Sequence, residues 1–98
     1  MENFDVVLEE LKETLESYQQ IRDTAYRQYS GLVQAVIHDR ITEEHRLERI
    51  MDGLLDFCDE DRFVEIYRKL CRHIYYRYPR MVSEHIAIFR MQFECGEE

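Results

Sequence analysis

The side chains most able to perform chemistry in this 98-residue chain are its histidines and cysteines. The histidines stand at four well-separated positions, His38, His45, His73 and His85. No two of them share the i, i+4 spacing with which a helix presents a histidine pair to zinc. Cys71 and His73 are two positions apart, which places them on different sides of a helix. The spacing predicts surface or half-buried histidines and no metal or other cofactor.

The cysteines Cys58, Cys71 and Cys95 lie on or near apolar stretches and lack C-x-x-C spacing. A catalytic thiol needs an adjacent base and amide donors for an oxyanion, and no glycine-rich turn supplies such donors. We therefore expect reduced cysteines that are mostly core residues, a cytoplasmic location and no enzymatic activity. With no visible signal peptide and no apolar run of about 20 residues, we expect no membrane association.

A heptad repeat organises the first part of the chain. Its core positions alternate in steps of four and three: Phe4, Leu8, Leu11, Leu15, Tyr18, Arg22, Ala25, Tyr29, Leu32 and Val36. The repeat predicts one helix over residues 3–38, roughly 50 Å long and continuous or slightly kinked at Ser30-Gly31. The alternative is a break at Ser30-Gly31, because glycine inside a helix costs about 1 kcal/mol relative to alanine. We expect the end of this helix to project and to pair with a second copy. Alternatively, the other helices of the same chain cover its apolar stripe. Unless an acid pairs with it, Arg22 indicates an exposed neighbourhood or a polar register device.

Three further helices are predicted. The first has Thr42 as its N-cap, Ile41 in front of the cap, and one apolar stripe: Leu47, Ile50, Met51, Leu54, Leu55 and Cys58. The acids Asp59-Glu60-Asp61 suit the N-terminus of the next helix, predicted over residues 62–78. Pro79 ends that helix and begins the last one.

The last helix carries two apolar stripes. One contains Val82, Ile86, Phe89 and Phe93, and the other contains Met81, Ile88, Met91 and Cys95. Two stripes predict a helix that is either central or exposes one stripe to a partner. With only three glycines and one proline, the chain is poor in turn residues. We therefore predict an all-α fold, a small helical bundle of one domain over residues 1–98 with a long N-terminal helix and about three further helices.

Charge is segregated along the chain. The formal net charge is −8, yet residues 62–80 hold six bases and one acid. Carboxylates are enriched elsewhere, and those that we predict to contact a partner are Glu9, Glu13, Glu16, Asp52, Asp56, Asp59, Glu60 and Asp61. They are either an ordinary solvated face or rows of charge that imitate a phosphate backbone and fit the basic channel of a nucleic-acid enzyme.

A basic-aromatic patch is the second candidate contact surface. Its residues are Arg68, Arg72, Tyr75, Tyr76, Arg77, Tyr78 and Arg80. Tyrosine and arginine are enriched at the centres of protein interfaces, and they also stack on single-stranded nucleic acid. The net charge favours a protein partner over direct nucleic-acid binding. Alternatively, these side chains pack against the acids of the first two helices.

Three features together carry a resemblance: the shortness of the chain, the lack of a catalytic motif, and the acid runs Glu9-Glu10, Glu43-Glu44 and Asp59-Glu60-Asp61. In these features the chain resembles small acidic helical accessory proteins of phages and mobile elements, among them anti-CRISPR inhibitors. The resemblance implies a non-enzymatic inhibitor or adaptor that occludes a nucleic-acid enzyme such as a CRISPR effector. Two alternatives stay open: a dimeric nucleic-acid-binding or regulatory module acting through residues 62–80, and a structural subunit of a larger assembly.

Overall fold

The computed structural model describes residues 2–93, with side chains from residue 3 onward. The helices are α1 (Glu2–Ile37), α2 (Glu44–Leu55), α3 (Asp61–Ile74) and α4 (Pro79–Phe93). No strand occurs in this range, so the predicted all-α bundle with a long first helix is confirmed. No helix in residues 2–93 has the length and apolarity needed to cross a membrane. Cys95, predicted on the second stripe of the last helix, lies outside the described residues.

Helix α1 passes through Gly31 without a break, as favoured by the heptad repeat. It ends where Asp39 adopts a left-handed conformation with φ of 60°. The Arg40 N–H donates to the Ala35 carbonyl at 2.8 Å, and the Asp39 N–H donates to the Val36 carbonyl at 2.9 Å. This pair of bonds is the Schellman arrangement, in which aspartate replaces the more usual glycine. The chain therefore reverses direction immediately after α1.

The prediction that Thr42 caps α2 is wrong. The cap position is Glu43, in extended conformation, and it makes no side-chain capping hydrogen bond. Thr42 is held elsewhere, because its carbonyl accepts a hydrogen bond from the Tyr78 hydroxyl at 3.1 Å. Ile41 is buried, with 6% of its surface exposed. The apolar residue before the helix thus packs as expected, while the cap lies one residue later.

Helix α3 begins at Asp61 with Glu60 in its cap position, so the acidic junction belongs to α3 as predicted. Its predicted end at residue 78 is wrong, since the helix stops at Ile74. The N–H groups of Arg77 and Tyr78 both donate to the Ile74 carbonyl, at 3.2 and 3.0 Å, and close a turn. Proline disfavours helical geometry in the residue before it, and here the whole preceding turn leaves the helix. Pro79 is the first residue of α4, as predicted.

Helices α2 and α3 form the middle of the bundle. Each contacts α1 and α4, whereas α1 and α4 do not contact one another within the described residues. Phe63, with no exposed surface, lies near the centre of the core. Its ring stacks on Phe57 at 4.8 Å between centroids and meets Tyr26 edge-on at 5.5 Å. Fully burying a side chain of this size is worth about 1.5–3 kcal/mol, so this cluster fixes how α1 sits on α3.

Only the second half of α1 belongs to the bundle. Every side chain from residue 3 to residue 21 is exposed, and Arg22 is the first buried one. The described chain measures 60 × 37 × 19 Å along its principal axes. A helix of 19 residues is roughly 28 Å long, so the exposed half of α1 projects well beyond the other helices. We call residues 3–21 the arm.

Candidate functional site

The arm carries an apolar stripe that no other described helix covers. Phe4, Leu8, Leu11 and Leu15, here called the arm stripe, have 63%, 47%, 54% and 59% of their surfaces exposed. At about 100° per residue they fall within roughly 60° of one another around the helix. In a globular protein, an amphipathic helix normally buries such a stripe against the rest of the chain. The arm therefore has the pattern of a docking helix.

Carboxylates surround the arm stripe. The arm holds five acids and a single base, Lys12; the acids are Asp5, Glu9, Glu10, Glu13 and Glu16. Asp5, Glu9 and Glu16 lie on one border, roughly 90–130° from the centre of the stripe, and Lys12 lies on the same side at roughly 70°. Glu13 points away from the stripe. A protein partner that covers the stripe thus meets a mostly negative border.

Arg22 anchors the base of the arm. Its guanidinium donates to Asp59 Oδ1 at 2.8 Å, to Glu60 Oε2 at 3.0 Å and to the Tyr18 hydroxyl at 2.9 Å. The same group lies 5.1 Å from the centre of the Phe57 ring. Arg22 is 7% exposed and paired with acids, so its heptad position marks the end of the bundle and is not an exposed site. Burial by itself lowers the Arg22 pKa, but the hydrogen bonds to Asp59, Tyr18 and Glu60 outweigh burial and raise it.

A second arginine extends this network. Arg62 donates to Asp23 Oδ1 at 2.7 Å, contacts the Glu60 carboxylate, and lies 4.8 Å from the centre of the Tyr26 ring. The hydrogen bond from Arg62 holds the pKa of Asp23 below its ordinary value. Opposite charges thus alternate across the contact between α1 and the start of α3. Two carboxylates of the predicted acidic face, Asp59 and Glu60, are engaged inside the chain.

The other predicted acids lie on separate elements, and one of them, Asp52, is also paired inside the chain, with His85. Glu9, Glu13 and Glu16 are exposed on the arm. Asp52 and Asp56 are exposed at α2 and its C-terminal end, and Asp61 is exposed at the first position of α3. The eight predicted acids are therefore divided among the arm, α2 and the α2–α3 junction. Their role as partner contacts stays a prediction.

The basic-aromatic patch is also divided. Arg68, Arg72, Tyr75 and Tyr76 line one groove between α3 and α4. Arg77 lines a separate hollow near the end of α1. Of the other two residues, Tyr78 is half-buried with its hydroxyl bonded to Thr42, and Arg80 is exposed at the start of α4. The structure therefore brings four of the seven predicted residues together.

We call this site the α3/α4 groove. Its volume is about 480 Å³, and it is lined by Val64, Tyr67, Arg68, Cys71, Arg72, Tyr75, Tyr76, Val82, Ile86, Phe89 and Arg90. Tyr67 and Phe89 stack at 5.9 Å between ring centroids. Among the described residues, no carboxylate lines the groove, and three arginines do. A groove with apolar residues and a cationic rim suits an amphipathic, anionic ligand.

Sequence reasoning missed most of the apolar lining. Val82, Ile86 and Phe89 share one predicted stripe of the last helix, but the stripe alone did not show that α3 borders it with arginines. Tyr67 also lines the groove, although only 3% of its surface is exposed. Its hydroxyl is buried and lies beside the Cys71 thiol, a weak hydrogen-bonding group. A buried hydroxyl with so weak a partner is uncommon in a folded core.

The cysteines in the described residues are core residues, as predicted. Cys58 and Cys71 are 4% and 8% exposed. Burial raises the pKa of Cys58 to about 12 and that of Cys71 to about 11. Both thiols are therefore protonated at neutral pH, and the protonated form is a poor nucleophile.

His85 departs from the prediction of surface or half-buried histidines, since only 4% of it is exposed. Its Nδ1 lies 2.9 Å from the Met81 carbonyl, and its Nε2 lies 2.7 Å from Asp52 Oδ1. The partner Asp52 is 33 residues away in sequence, which explains why spacing gave no sign of it. Within residues 3–93, no three histidine, cysteine, aspartate or glutamate side chains are arranged to hold a metal ion.

No protein-family model, curated protein sequence or solved structure matches this chain. Any functional conclusion therefore rests on the arm, the α3/α4 groove and their charges.

Proposed function

We propose that this chain is a non-enzymatic protein-binding module that docks its arm on a cationic partner and occludes that partner's nucleic-acid-binding surface. The observation that carries the proposal is the arm itself, a projecting helix whose apolar stripe is exposed and bordered by carboxylates. Amphipathic helices of this kind bind by laying the apolar face into a groove of the partner, with anchors at i, i+3 and i+7. Leu8, Leu11 and Leu15 are such anchors.

The apolar area that the arm exposes supports binding to a partner that covers the arm stripe. Each residue of the arm stripe exposes roughly 100 Å², so covering four of them removes about 400 Å² from water, worth about 10 kcal/mol at 25 cal/mol per Å². Association and ordering consume a large part of that sum. Covering the arm stripe is therefore the main favourable contribution that a partner would add.

Charge supports a protein with a basic surface as the partner. The arm holds five acids and one base, and the whole chain has a net charge of −8. Phosphate groups of nucleic acid or of anionic lipid repel such an arm. A channel built to hold nucleic acid is cationic, and it attracts the arm over distances of about one Debye length, roughly 8–10 Å at moderate salt. Nucleic-acid enzymes, with guide-RNA-loaded CRISPR effectors as the class implied by the resemblance, are therefore the first partners to test.

The buried side chains are consistent with a binding role without catalysis. The thiols of Cys58 and Cys71 are protonated core groups, and both ring nitrogens of His85 already have protein acceptors. Residues 3–93 thus present no activated nucleophile or unengaged buried base.

The test uses purified CRISPR effectors and DNA endonucleases, with binding measured by biolayer interferometry and activity by DNA cleavage. We expect the chain to bind one of these enzymes and inhibit cleavage in competition with substrate DNA. Leu11→Gln with Leu15→Gln should weaken binding at least tenfold. The matched control is Val6→Gln, because Val6 is 53% exposed but lies on the far side of the arm.

Two outcomes contradict the proposal. One is that none of the cationic enzymes binds the chain at low salt. The other is that the chain alone shifts single- or double-stranded DNA in a gel at low salt, which favours the nucleic-acid-binding alternative.

A further measurement separates the contribution of charge from that of packing. Neutralising Glu9 and Glu16 to glutamine should slow association at low salt and have little effect at high salt.

A further inference from the structure

We propose that the α3/α4 groove receives the arm of a second copy of this chain, so that two copies form a reciprocal dimer before a partner displaces the arms. The inference rests on the proposed function only in treating the arm as a docking helix. It adds the place where the arm docks when no partner is present. The dimer has two identical contacts related by a two-fold axis, as in most homodimers.

The arm stripe and the groove have the same length. On α3, the lining residues Val64, Arg68, Cys71 and Tyr75 follow steps of four, three and four. The arm stripe from Phe4 to Leu15 follows the same steps. Both rows span eleven residues, roughly 16 Å of helix. A helix lying along the groove therefore meets lining residues over three turns.

The groove offers enough space and the right surface for such a helix. Its volume of about 480 Å³ accommodates several leucine-sized side chains between α3 and α4. Val64 on α3 faces the row of Val82, Ile86 and Phe89 on α4.

Charge complementarity favours the arm of a second copy as the occupant of the groove. Arg68 and Arg72 are exposed and form no ion pair within residues 3–93, and no carboxylate lines the groove. The border of the arm that carries Asp5, Glu9 and Glu16 supplies the opposite charge. The competing dimer, in which two arms pair as a coiled coil, brings together two helices that each hold five acids and one base. Complementarity therefore favours arm in groove over arm on arm.

The arm cannot reach the groove of its own chain. Helix α1 is continuous from Glu2 to Ile37, and it does not contact α4 within the described residues. Folding the arm back onto the α3/α4 groove would require breaking α1. A second copy supplies the same arm without any break.

The contact is also large enough. Covering four anchors of roughly 100 Å² each buries about 400 Å² of each arm, and the groove adds a smaller area. Two reciprocal contacts bury about 1,000 Å² in total, the lower end of the range for specific interfaces.

The experiment measures the mass of the full chain by light scattering after gel filtration, at low salt and about 100 µM protein, where a micromolar dimer is populated. We expect twice the chain mass for the wild type. Arg68→Glu with Arg72→Glu should give the monomer mass, and so should Glu9→Lys with Glu16→Lys. Mixing these two charge-reversed proteins should restore a dimer of one copy each, because both contacts then join opposite charges.

Matched controls separate the groove from bulk charge. Lys69→Glu with Arg80→Glu makes the same charge change outside the groove lining, and Glu13→Lys changes charge on the far side of the arm. Both should remain dimers. Circular dichroism of every variant confirms that the helices are intact.

A wild-type monomer under these conditions overturns the inference. So does a dimer that survives the Arg68 and Arg72 reversal, since that result locates the contact in an arm-on-arm coiled coil. Failure of the proposed function gives a different signature, because the dimer would then form while no cationic enzyme binds either dimer or monomer. Conversely, if the chain stays a monomer and still binds an enzyme, the dimer inference is contradicted and the proposed function stands.

Discussion

The two halves of α1 carry the same heptad repeat and have opposite surroundings. From Arg22 onward the repeat is packed against α2 and α3, and Val33 and Val36 are each 1% exposed. Before Arg22 the repeat is the arm, and every side chain in it is exposed. The spacing of apolar residues is therefore sufficient to form one helix and one stripe, but it does not determine what covers the stripe.

The boundary between the halves has a chemical cause. Arg22 takes a core position, and its guanidinium needs acceptors that an apolar core does not supply. Asp59 and Glu60 supply them because the α2–α3 junction reaches this level of α1. Beyond that junction, no described helix remains to cover α1. The length of α2 and α3 thus sets where the bundle ends, and the arginine closes that end.

The test with the largest expected effect makes the same substitution, leucine to alanine, in the bundle and in the arm. Leu54→Ala removes a side chain with no exposed surface from the core that the second half of α1 packs on, and we expect a loss of about 2–5 kcal/mol in the free energy of unfolding. Leu15→Ala acts on a side chain that is 59% exposed, and the expected loss is below about 0.5 kcal/mol. Urea unfolding at protein concentrations that give monomer measures both. Equal losses would show that the arm is covered.

A second test concerns the boundary residue. Arg22→Lys keeps the charge but removes the planar group that binds Asp59, Glu60 and Tyr18 together. Lysine cannot make the same set of hydrogen bonds, so we expect a loss of about 1–3 kcal/mol. Arg27→Lys, on the exposed surface of the same helix, is the control and should change stability by less than about 0.5 kcal/mol. If both variants unfold at the same urea concentration as the wild type, Arg22 does not close the bundle.

The helices were predictable because the sequence patterns that specify them are local. The four-three repeat of α1, the amphipathic stripe of α2 and the restriction imposed by Pro79 each lie within one stretch of sequence. They predicted the all-α class, the continuous first helix and the start of α4. Two boundaries were wrong, the N-cap of α2 at Thr42 and the end of α3. They meet in the structure, since Tyr78 leaves the helix and donates to the Thr42 carbonyl, a contact 36 residues apart in sequence.

The α3/α4 groove was harder to foresee because it depends on how two helices face one another. The residues Arg68 and Arg72 were recognised as a candidate contact surface, but their apolar neighbours Val82 and Ile86 come from another helix. The same limit applies to the acids. Spacing cannot show that Asp59 pairs with Arg22, 37 residues away, while Glu9 stays exposed.

A third test uses two glycines, Gly31 within the anchored half of α1 and Gly53 on α2. A Cβ at Gly31 meets nothing within 4 Å, so Gly31→Ala should raise the free energy of unfolding by about 0.5–1 kcal/mol through helix propensity. A Cβ at Gly53 would collide with the Tyr29 ring and hydroxyl. Overpacking of about 1–3 kcal/mol then exceeds the propensity gain, so Gly53→Ala should destabilise. The sign of the two shifts in thermal midpoint decides whether α1 packs closely on α2.

The smallest expected effect is a pH dependence at the same boundary. Because Arg62 lowers the pKa of Asp23 in the folded state, the stability that this pair contributes is present above the ordinary Asp pKa of 3.8 and is lost as pH falls below it. Asp23→Asn should therefore flatten the acid side of the curve of unfolding free energy against pH. Asp56→Asn removes an exposed carboxylate that forms no ion pair within residues 3–93, and its curve should keep the wild-type slope. Since Asp23 is the first acid of α1 after Arg22, an unchanged slope in Asp23→Asn would mean that the charge network does not hold α1 to α3 in solution.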